Sequence, residues 1–317
     1  MSKRSTKMRS ASYMMFFVFL LFCSYLKQAS GQESAGWSKS FDVDFTMTQN
    51  SYSDNWAGGE AGSINWVANA FGTFEKQIST KFNFKNNSKL SFGQTHIQRQ
   101  VTSGNKTTKY WSKPEKSTDL IDIENLGRFT LSKIIDPYVA LRLETQFLDA
   151  AVPSINRFFS PLKITESAGL AKIFFAKDSD SQSSANELLG RVGFALRQII
   201  TKEVKDTLLE KTKTSTTTDG GIESVIDIKL QLSKIVGFVS KISFYNAIFF
   251  SGADKYKGTP RQDYWKTIDI NLENRFTVSV AKYLTVSLYT QLLYDKEINL
   301  RGRFKQTLAV GLTYKLL

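Results

Sequence analysis

The clearest pattern along the chain is an alternation of apolar and polar positions near its carboxyl end. In the segment from Lys305 to Leu317, every second residue from Leu308 onward is apolar, and the residues between are mostly small or polar. A period of two predicts a β-strand whose two faces meet different surroundings. Strands of about ten residues with one apolar and one polar face are typical of transmembrane β-barrels, which face lipid outside and a polar lumen inside.

Similar strands can be read along most of the chain. Short polar turns and longer polar loops alternate between them, which predicts an all-β, antiparallel up-and-down barrel of about twelve strands. An even strand number would put both ends of the barrel on the periplasmic side. We expect a disordered turn at 177–185 and a short helical stretch beyond Thr201. The predicted strands cover residues 37–49, 62–83, 88–102, 119–133, 137–149, 163–176, 186–201, 222–234, 236–251, 264–280, 283–295 and 303–316.

Charged side chains recur on one face of these strands. An Arg or Lys facing the middle of a bilayer costs about 2–4 kcal/mol, so the charged face must be the lumen. The candidate lumen residues are Asp122, Glu124, Arg128, Arg142, Glu144, Arg191, Arg197, Asp227, Lys229, Lys241, Asp269, Glu273 and Arg275.

The predicted lumen holds nearly equal numbers of acids and bases. A pore that selects one sign of ion carries a ring of like charges, whereas interleaved charges favour ion pairs between strands. The sequence therefore favours an interior filled by salt bridges. A conduit or pocket for a small polar solute is the alternative.

The amino terminus has the features of a secretory signal peptide. Basic residues precede an apolar stretch from Ala11 to Leu26, and small residues follow at Ala29–Gly31. We expect cleavage after residue 31, which leaves 32–317 as the barrel domain. The lone cysteine, Cys23, lies in the predicted signal, so the mature barrel is expected to hold no disulfide. The formal net charge is +13. Much of the basic surplus lies in predicted loops, which does not imply nucleic acid. A basic outer rim would attract anionic lipopolysaccharide or anionic solutes, and ordinary solvated loops are the alternative.

Signs of catalysis are weak. The chain has one histidine, His96, within a row of glutamines on the third predicted strand. A hydrolase that uses His96 as its base is the alternative from another functional class. No histidine or cysteine cluster and no phosphate-binding glycine loop are present in the sequence, so no metal or cofactor is expected.

Aromatic residues fall near both ends of the predicted strands, where barrels carry interfacial girdles. We expect an outer girdle and an inner girdle. The outer girdle would contain Trp111, Tyr264, Trp265 and Tyr294, and the inner girdle would contain Tyr138, Phe238, Tyr283 and Tyr314.

A glycine-rich loop follows the first predicted strand, in the segment from Asp54 to Ser63. Its glycines permit a tight return of the chain. The loop is expected to plug the barrel mouth, and a ligand contact by Trp56 and Glu60 is the alternative. The candidate plug residues are Asn55, Trp56, Gly58, Gly59 and Glu60.

This segment resembles a signature of the domain-of-unknown-function 3078 family of outer-membrane β-barrel proteins. The residues Phe159–Pro161, Lys282–Asp295 and Gln306–Tyr314 are also similar to that family. The resemblance implies a barrel in the bacterial outer membrane and brings no catalytic residues with it. For a barrel in that membrane, the expected partners are outer-membrane lipid and lipopolysaccharide, and the barrel-assembly machinery during biogenesis. The chain ends in Leu317, where such barrels commonly end in Phe or Trp, so Tyr314 would have to serve instead.

Overall fold

The structure is a computed structural model that describes residues 36–52, 61–103, 106–131, 134–152, 155–177, 186–206 and 211–315. The predicted signal peptide, the loop from Asn55 to Glu60 and most of the predicted turn at 177–185 lie outside the described residues.

The described residues are almost entirely β-structure. Two short helical turns, Ala253–Tyr256 and Tyr264–Lys266, lie between the strands that end at Phe250 and begin at Asp269. No helix in the described ranges is long and apolar enough to cross a bilayer. The strands are β1 Trp37–Asn50, β2 Ser63–Ser79, β3 Phe82–Ser103, β4 Lys106–Trp111, β5 Glu115–Arg128, β6 Asp136–Thr145, β7 Leu148–Asp149, β8 Arg157–Phe158, β9 Leu162–Lys177, β10 Asn186–Asp206, β11 Lys211–Gln231, β12 Val236–Phe250, β13 Asp269–Ser279, β14 Leu284–Tyr294 and β15 Arg303–Lys315.

Twelve of these strands close into one antiparallel barrel. The order around the barrel is β1, β2, β3, β5, β6, β9, β10, β11, β12, β13, β14 and β15, and each strand pairs with the next. The first and last strands close the ring, with Asp42 opposite Lys315 and Phe45 opposite Leu312. Strand β4 pairs with the last residues of β3, and the two form a ribbon outside the ring. Strands β7 and β8 pair with each other. The predicted twelve-stranded antiparallel barrel is confirmed.

The connections at the two ends of the barrel differ in length. At one end, residues 80–81, 232–235 and 280–283 link neighbouring strands. Two loops at the other end, 251–268 and 295–302, are longer. Strand β1 begins and strand β15 ends at the short-turn end.

The two faces of the wall are opposite in polarity. Outward side chains such as Leu170, Val192 and Leu312 are 54%, 56% and 63% exposed. Inward side chains such as Glu124 and Arg191 are 6% and 3% exposed. A soluble protein buries the first class and exposes the second, so this wall is built to face lipid.

Two glycines let β9 and β10 approach closely. Gly169 lies opposite Gly193 across the strand pair, and Tyr138 of β6 lies opposite Gly169. A Cβ atom at Gly169 would collide with the backbone of Val192 and Gly193. Tyr138, Gly169 and Gly193 lie in one inward row, so the Tyr138 ring packs against glycine backbone. This packing explains why the Tyr138 side chain is 2% exposed.

Two expectations from the sequence are wrong. Residues beyond Thr201 form no helix but continue β10 to Asp206, where it pairs with the start of β11. Tyr138 is not part of an inner girdle, because its ring points into the barrel. The inner-end aromatics Tyr283 and Tyr314 do stack, with ring centroids 6.2 Å apart, and both are about half exposed.

Candidate functional site in the barrel interior

The strand register decides which charged residues face the interior. Residues directly opposite each other on paired strands share a face, so one residue known to point inward fixes the facing of its whole row. Lys89 and Glu273 touch although their strands are not neighbours, and Arg191 touches Glu124 in the same way. By this criterion, the inward face carries Asp122, Glu124, Arg128, Arg142, Glu144, Arg191, Arg197, Asp227, Lys229, Lys241, Asp269, Glu273 and Arg275.

Arg142 is the centre of a first group of charges. Its Nε and Nη2 atoms donate to the two Asp122 carboxylate oxygens, each at 2.9 Å, in a two-point geometry that only arginine provides. Glu144 and Glu273 lie 3.3 and 3.7 Å from the same guanidinium. Lys89 approaches from β3 and donates to Glu273 Oε2 at 2.8 Å.

Lys163 completes this group, with its Nζ atom 2.9 Å from Glu144 Oε2. The group then holds three cations and three carboxylates, so its formal charges cancel. We call it the Arg142 tier. It consists of Lys89, Asp122, Arg142, Glu144, Lys163 and Glu273.

A second group forms around Glu124. One of its carboxylate oxygens accepts from Arg191 Nη2 at 2.8 Å and the other from Lys241 Nζ at 2.6 Å. Arg191 also donates to Asp227 Oδ2 at 3.0 Å. These four residues, the Glu124 tier, hold two cations and two carboxylates and are again formally neutral.

Contacts in both tiers cross the interior rather than follow the wall. Glu124 lies on β5 and Lys241 on β12, which are five strands apart around a ring of twelve. Lys89 on β3 and Glu273 on β13 are also five strands apart. Diametrically opposite strands would be six apart, so these side chains meet near the middle of the lumen.

A third group lies nearer the long-loop end. Arg197 donates to Asp219 Oδ1 and to Asp269 Oδ2, each at 2.7 Å. Its guanidinium also lies over the Tyr245 ring, 3.6 Å from the centroid, and the Tyr245 hydroxyl donates to Asp219. Burial of Arg197 is therefore matched by two ion pairs and an aromatic face.

The remaining candidate residues have weaker or different contacts. Arg128 donates to Asp136 Oδ2 at 3.3 Å near the short-turn end. The Arg275 guanidinium lies 3.8 Å from the centroid of the Phe71 ring on β2. Within the described residues, Lys229 and Arg275 have no carboxylate within 4.0 Å.

Several residues of the network were missed from the sequence. Lys89 falls within a predicted strand but is not among the candidate lumen residues. Lys85, which donates to Glu187 at 2.7 Å across the interior, falls in a predicted strand connection. Asp219 falls in a predicted loop. The alternation of Asn83, Lys85, Asn87 and Lys89 with Phe84 and Leu90 was the available signal.

His96 lies apart from this network. It pairs in register with Ile64 and points to the outer face of β3, as the evenly numbered residues of that strand do. Among the described residues it has no hydrogen bond or ion pair to an acid or hydroxyl group. The geometry therefore provides no partner that would make His96 a catalytic base.

The chemistry of the interior is that of paired charges. Breaking one partner of a buried ion pair costs about 3–5 kcal/mol, because it leaves the other charge uncompensated. Each tier combines several such pairs on different strands. The arrangement therefore fills the lumen and ties distant parts of the wall together.

A comparison with protein families gives one match. Residues 47–150 match the model of the family described as "Protein of unknown function (DUF3078)". The match includes the segment from Asp54 to Ser63 and ends before Phe159. The family resemblance is therefore confirmed over this part of the chain. No curated protein matches the sequence.

Solved structures with similar architecture share little sequence with this chain. The translocator domain of the autotransporter NalP from Neisseria meningitidis is 8% identical, with 96% of this chain and 97% of that chain covered and a TM-score of 0.36. An outer membrane channel from Pseudomonas putida F1 is 10% identical, with 90% and 96% covered and a TM-score of 0.34. The β domain of the Bordetella autotransporter BrkA is 10% identical, with 89% and 99% covered and a TM-score of 0.31.

Proposed function

We propose that this protein is an outer-membrane β-barrel whose lumen is closed by ion pairs, and that it serves as a membrane-embedded scaffold rather than as an open pore. The observation that carries the proposal is the contact of Glu124 with Lys241 and of Lys89 with Glu273 across the interior. Scaffold function would then reside in the loops and ribbons at the long-loop end.

The balance of charges favours a lumen closed by ion pairs over an ion-selective pore. A filter requires an excess of one charge so that ions of the other sign are attracted. The Arg142 tier and the Glu124 tier are each formally neutral. An ion or solute entering the lumen would have to separate pairs that already satisfy each other.

A passive conduit for a small anionic or polar solute is the second candidate. The observation in its favour is the position of Lys229 and Arg275, inward cations with no carboxylate within 4.0 Å among the described residues. They would give the short-turn half of the lumen a positive potential. In this candidate, the tiers would open to let solute pass.

Liposome swelling with sugars and amino acids separates the two functions. The wild-type chain should give swelling no faster than empty liposomes. A variant that carries Lys89→Ser, Glu273→Ser, Glu124→Ser and Lys241→Ser loses both cross-lumen contacts without a change in net charge, and should admit solutes. The matched control is Arg128→Ser with Asp136→Ser, which removes a buried ion pair that lies outside both tiers and joins the neighbouring strands β5 and β6. Rapid swelling with the wild-type protein would favour the conduit.

The orientation and partners belong to the same proposal. With the short-turn end in the periplasm, both ends of the barrel domain lie there, and the long loops face outward. The basic residues Lys255, Lys257 and Arg261 would then meet anionic lipopolysaccharide. Replacement of all three by Gln should weaken retention of purified lipopolysaccharide, and unchanged retention would remove this partner. The barrel-assembly machinery would be a transient partner during insertion.

A further inference from the structure

Four strands carry an unusual set of side chains on the outer wall near the short-turn end. Lys39, Phe74, Asn86 and Asn125 lie opposite one another on β1, β2, β3 and β5, and so form one row on the outward face. Trp37, Lys76 and Phe84 form the next row toward the short turns. Most of the outward wall is apolar, so amides and lysines here need an explanation.

These rows border a shallow, open groove of about 460 Å³. Its lining combines aromatic rings, an ammonium group and side-chain amides. Gly127 continues the Trp37 row on β5 and adds no side chain. The lining residues are Trp37, Lys39, Phe74, Phe84, Asn86 and Asn125.

The polar groups of the groove are arranged as donors. Asn86 Nδ2 donates to Asn125 Oδ1 at 2.9 Å, and Ser88 donates to Asn86 Oδ1 at 2.9 Å. These two bonds occupy both amide oxygens and leave Asn125 Nδ2 without a partner among the described residues. Lys76 Nζ lies 5.4 Å from the centroid of the Trp37 ring, at the edge of the groove.

Charge complementarity identifies the class of ligand. The outward faces of β1, β2 and β3 present Lys39 and Lys76 and, within the described residues, no carboxylate. Two ammonium groups suit a phosphate, and a free amide donor suits an ester or headgroup oxygen of the same lipid. Trp37 and the stacked pair of Tyr283 and Tyr314 place this end of the wall at the level of lipid headgroups.

We propose that this groove binds one anionic phospholipid, with its phosphate held by Lys39 and Lys76 and an ester or headgroup oxygen held by Asn125. Its acyl chains lie along the aromatic lining and the apolar wall toward Phe41. The site is independent of the ion pairs inside the barrel, because it lies on the opposite face of the same strands.

Native mass spectrometry of the detergent-solubilised full chain tests the site. Phosphatidylglycerol is the probe and phosphatidylcholine is the comparison lipid. The wild-type protein should retain one phosphatidylglycerol and at least fivefold less phosphatidylcholine. Lys39→Gln combined with Lys76→Gln should lower phosphatidylglycerol retention at least fivefold, and Asn125→Leu should lower it as well.

Lys172→Gln is the matched control, since Lys172 is another outward lysine that lies over an aromatic ring, that of Phe174 on β9. It should leave retention unchanged. Lys39→Arg with Lys76→Arg should restore binding and shows that loss in the Gln variant is not misfolding. Equal retention of the two lipids, or equal loss in the Lys172→Gln control, would overturn the proposal.

Discussion

At the scale of single residues, Glu124 is a buried carboxylate whose substitution is expected to be costly. It is 6% exposed and accepts from two cations that come from different sides of the lumen. Its loss would leave Arg191 and Lys241 to share Asp227 alone.

Glu124→Gln is therefore expected to destabilise the folded barrel by about 3 kcal/mol, the lower end of the cost of breaking a buried ion pair. The measurement is urea unfolding in lipid vesicles, followed by heat-modifiable gel migration. Glu166→Gln is the matched control, because Glu166 is an exposed carboxylate on the outward face of β9. Its effect should stay within about 0.5 kcal/mol.

The Glu124 prediction has a further check in the pair with Lys241. Lys241→Gln added to Glu124→Gln should recover part of the lost stability, because it removes one of the stranded charges. Equal losses in the Glu124 and Glu166 variants would show that the interior ion pairs are not a special source of stability.

Glu297, in the loop between β14 and β15, gives a pH dependence. Burial, together with Asp295 and Asp269, raises the pKa of Glu297 to about 7. A carboxyl group with a raised pKa in the folded state binds its proton more tightly there than in the unfolded state. Stability of the folded loop is therefore highest at acidic pH and falls as the pH rises from about 4.5 to 7.

Amide hydrogen exchange measures this effect. Protection factors in residues 295–302 should be higher at pH 5 than at pH 8, and Glu297→Gln should remove the difference. Glu115→Gln, at an exposed carboxylate at the start of β5, should leave the difference intact. If the pH dependence of protection remains in Glu297→Gln, another titratable group causes it.

At the scale of elements, the β10–β11 hairpin extends beyond its neighbours. Strand β10 pairs with β9 only as far as Ile200, and β11 begins to pair with β12 only at Asp219. Residues 201–206 and 211–215 therefore pair only with each other and form a ribbon beyond the barrel rim.

Site-specific labelling tests which way this ribbon points. Lys213→Cys on the ribbon should react with a membrane-impermeant maleimide on intact cells. Lys234→Cys, in the short turn between β11 and β12, should react only after the outer membrane is permeabilised. The opposite result would reverse the proposed orientation. Cys23, the lone native cysteine, lies in the predicted signal peptide and should not interfere after cleavage.

The elements were predictable to different degrees. Ten-residue strands with one apolar face were readable because lipid and lumen impose a strict period of two. The ribbon was not, because Thr and Lys on a solvated hairpin carry no apolar face, and Glu, Lys and Val near Thr201 equally suit a helix. Strand β3 began earlier than predicted for a similar reason, since Asn86 and Ser88 interrupt its outward apolar pattern.

At the scale of the whole molecule, the barrel has most of its charges inside and most of its apolar side chains outside. The inward facing of the charges follows from sequence alone, since outward charges would be costly in lipid. Which charges pair does not follow, because contacts such as that of Lys89 with Glu273 join strands distant in sequence and depend on barrel closure. Closure of the barrel therefore brings charged residues from distant strands together in two formally neutral tiers across the lumen.

Planar-bilayer recording tests the closed lumen most directly. The purified wild-type barrel should insert without discrete conductance steps. The variant with Lys89→Ser, Glu273→Ser, Glu124→Ser and Lys241→Ser should give them, while the control with Arg128→Ser and Asp136→Ser should remain silent. Stable conductance steps from the wild-type protein would contradict the closure of the lumen by its ion pairs.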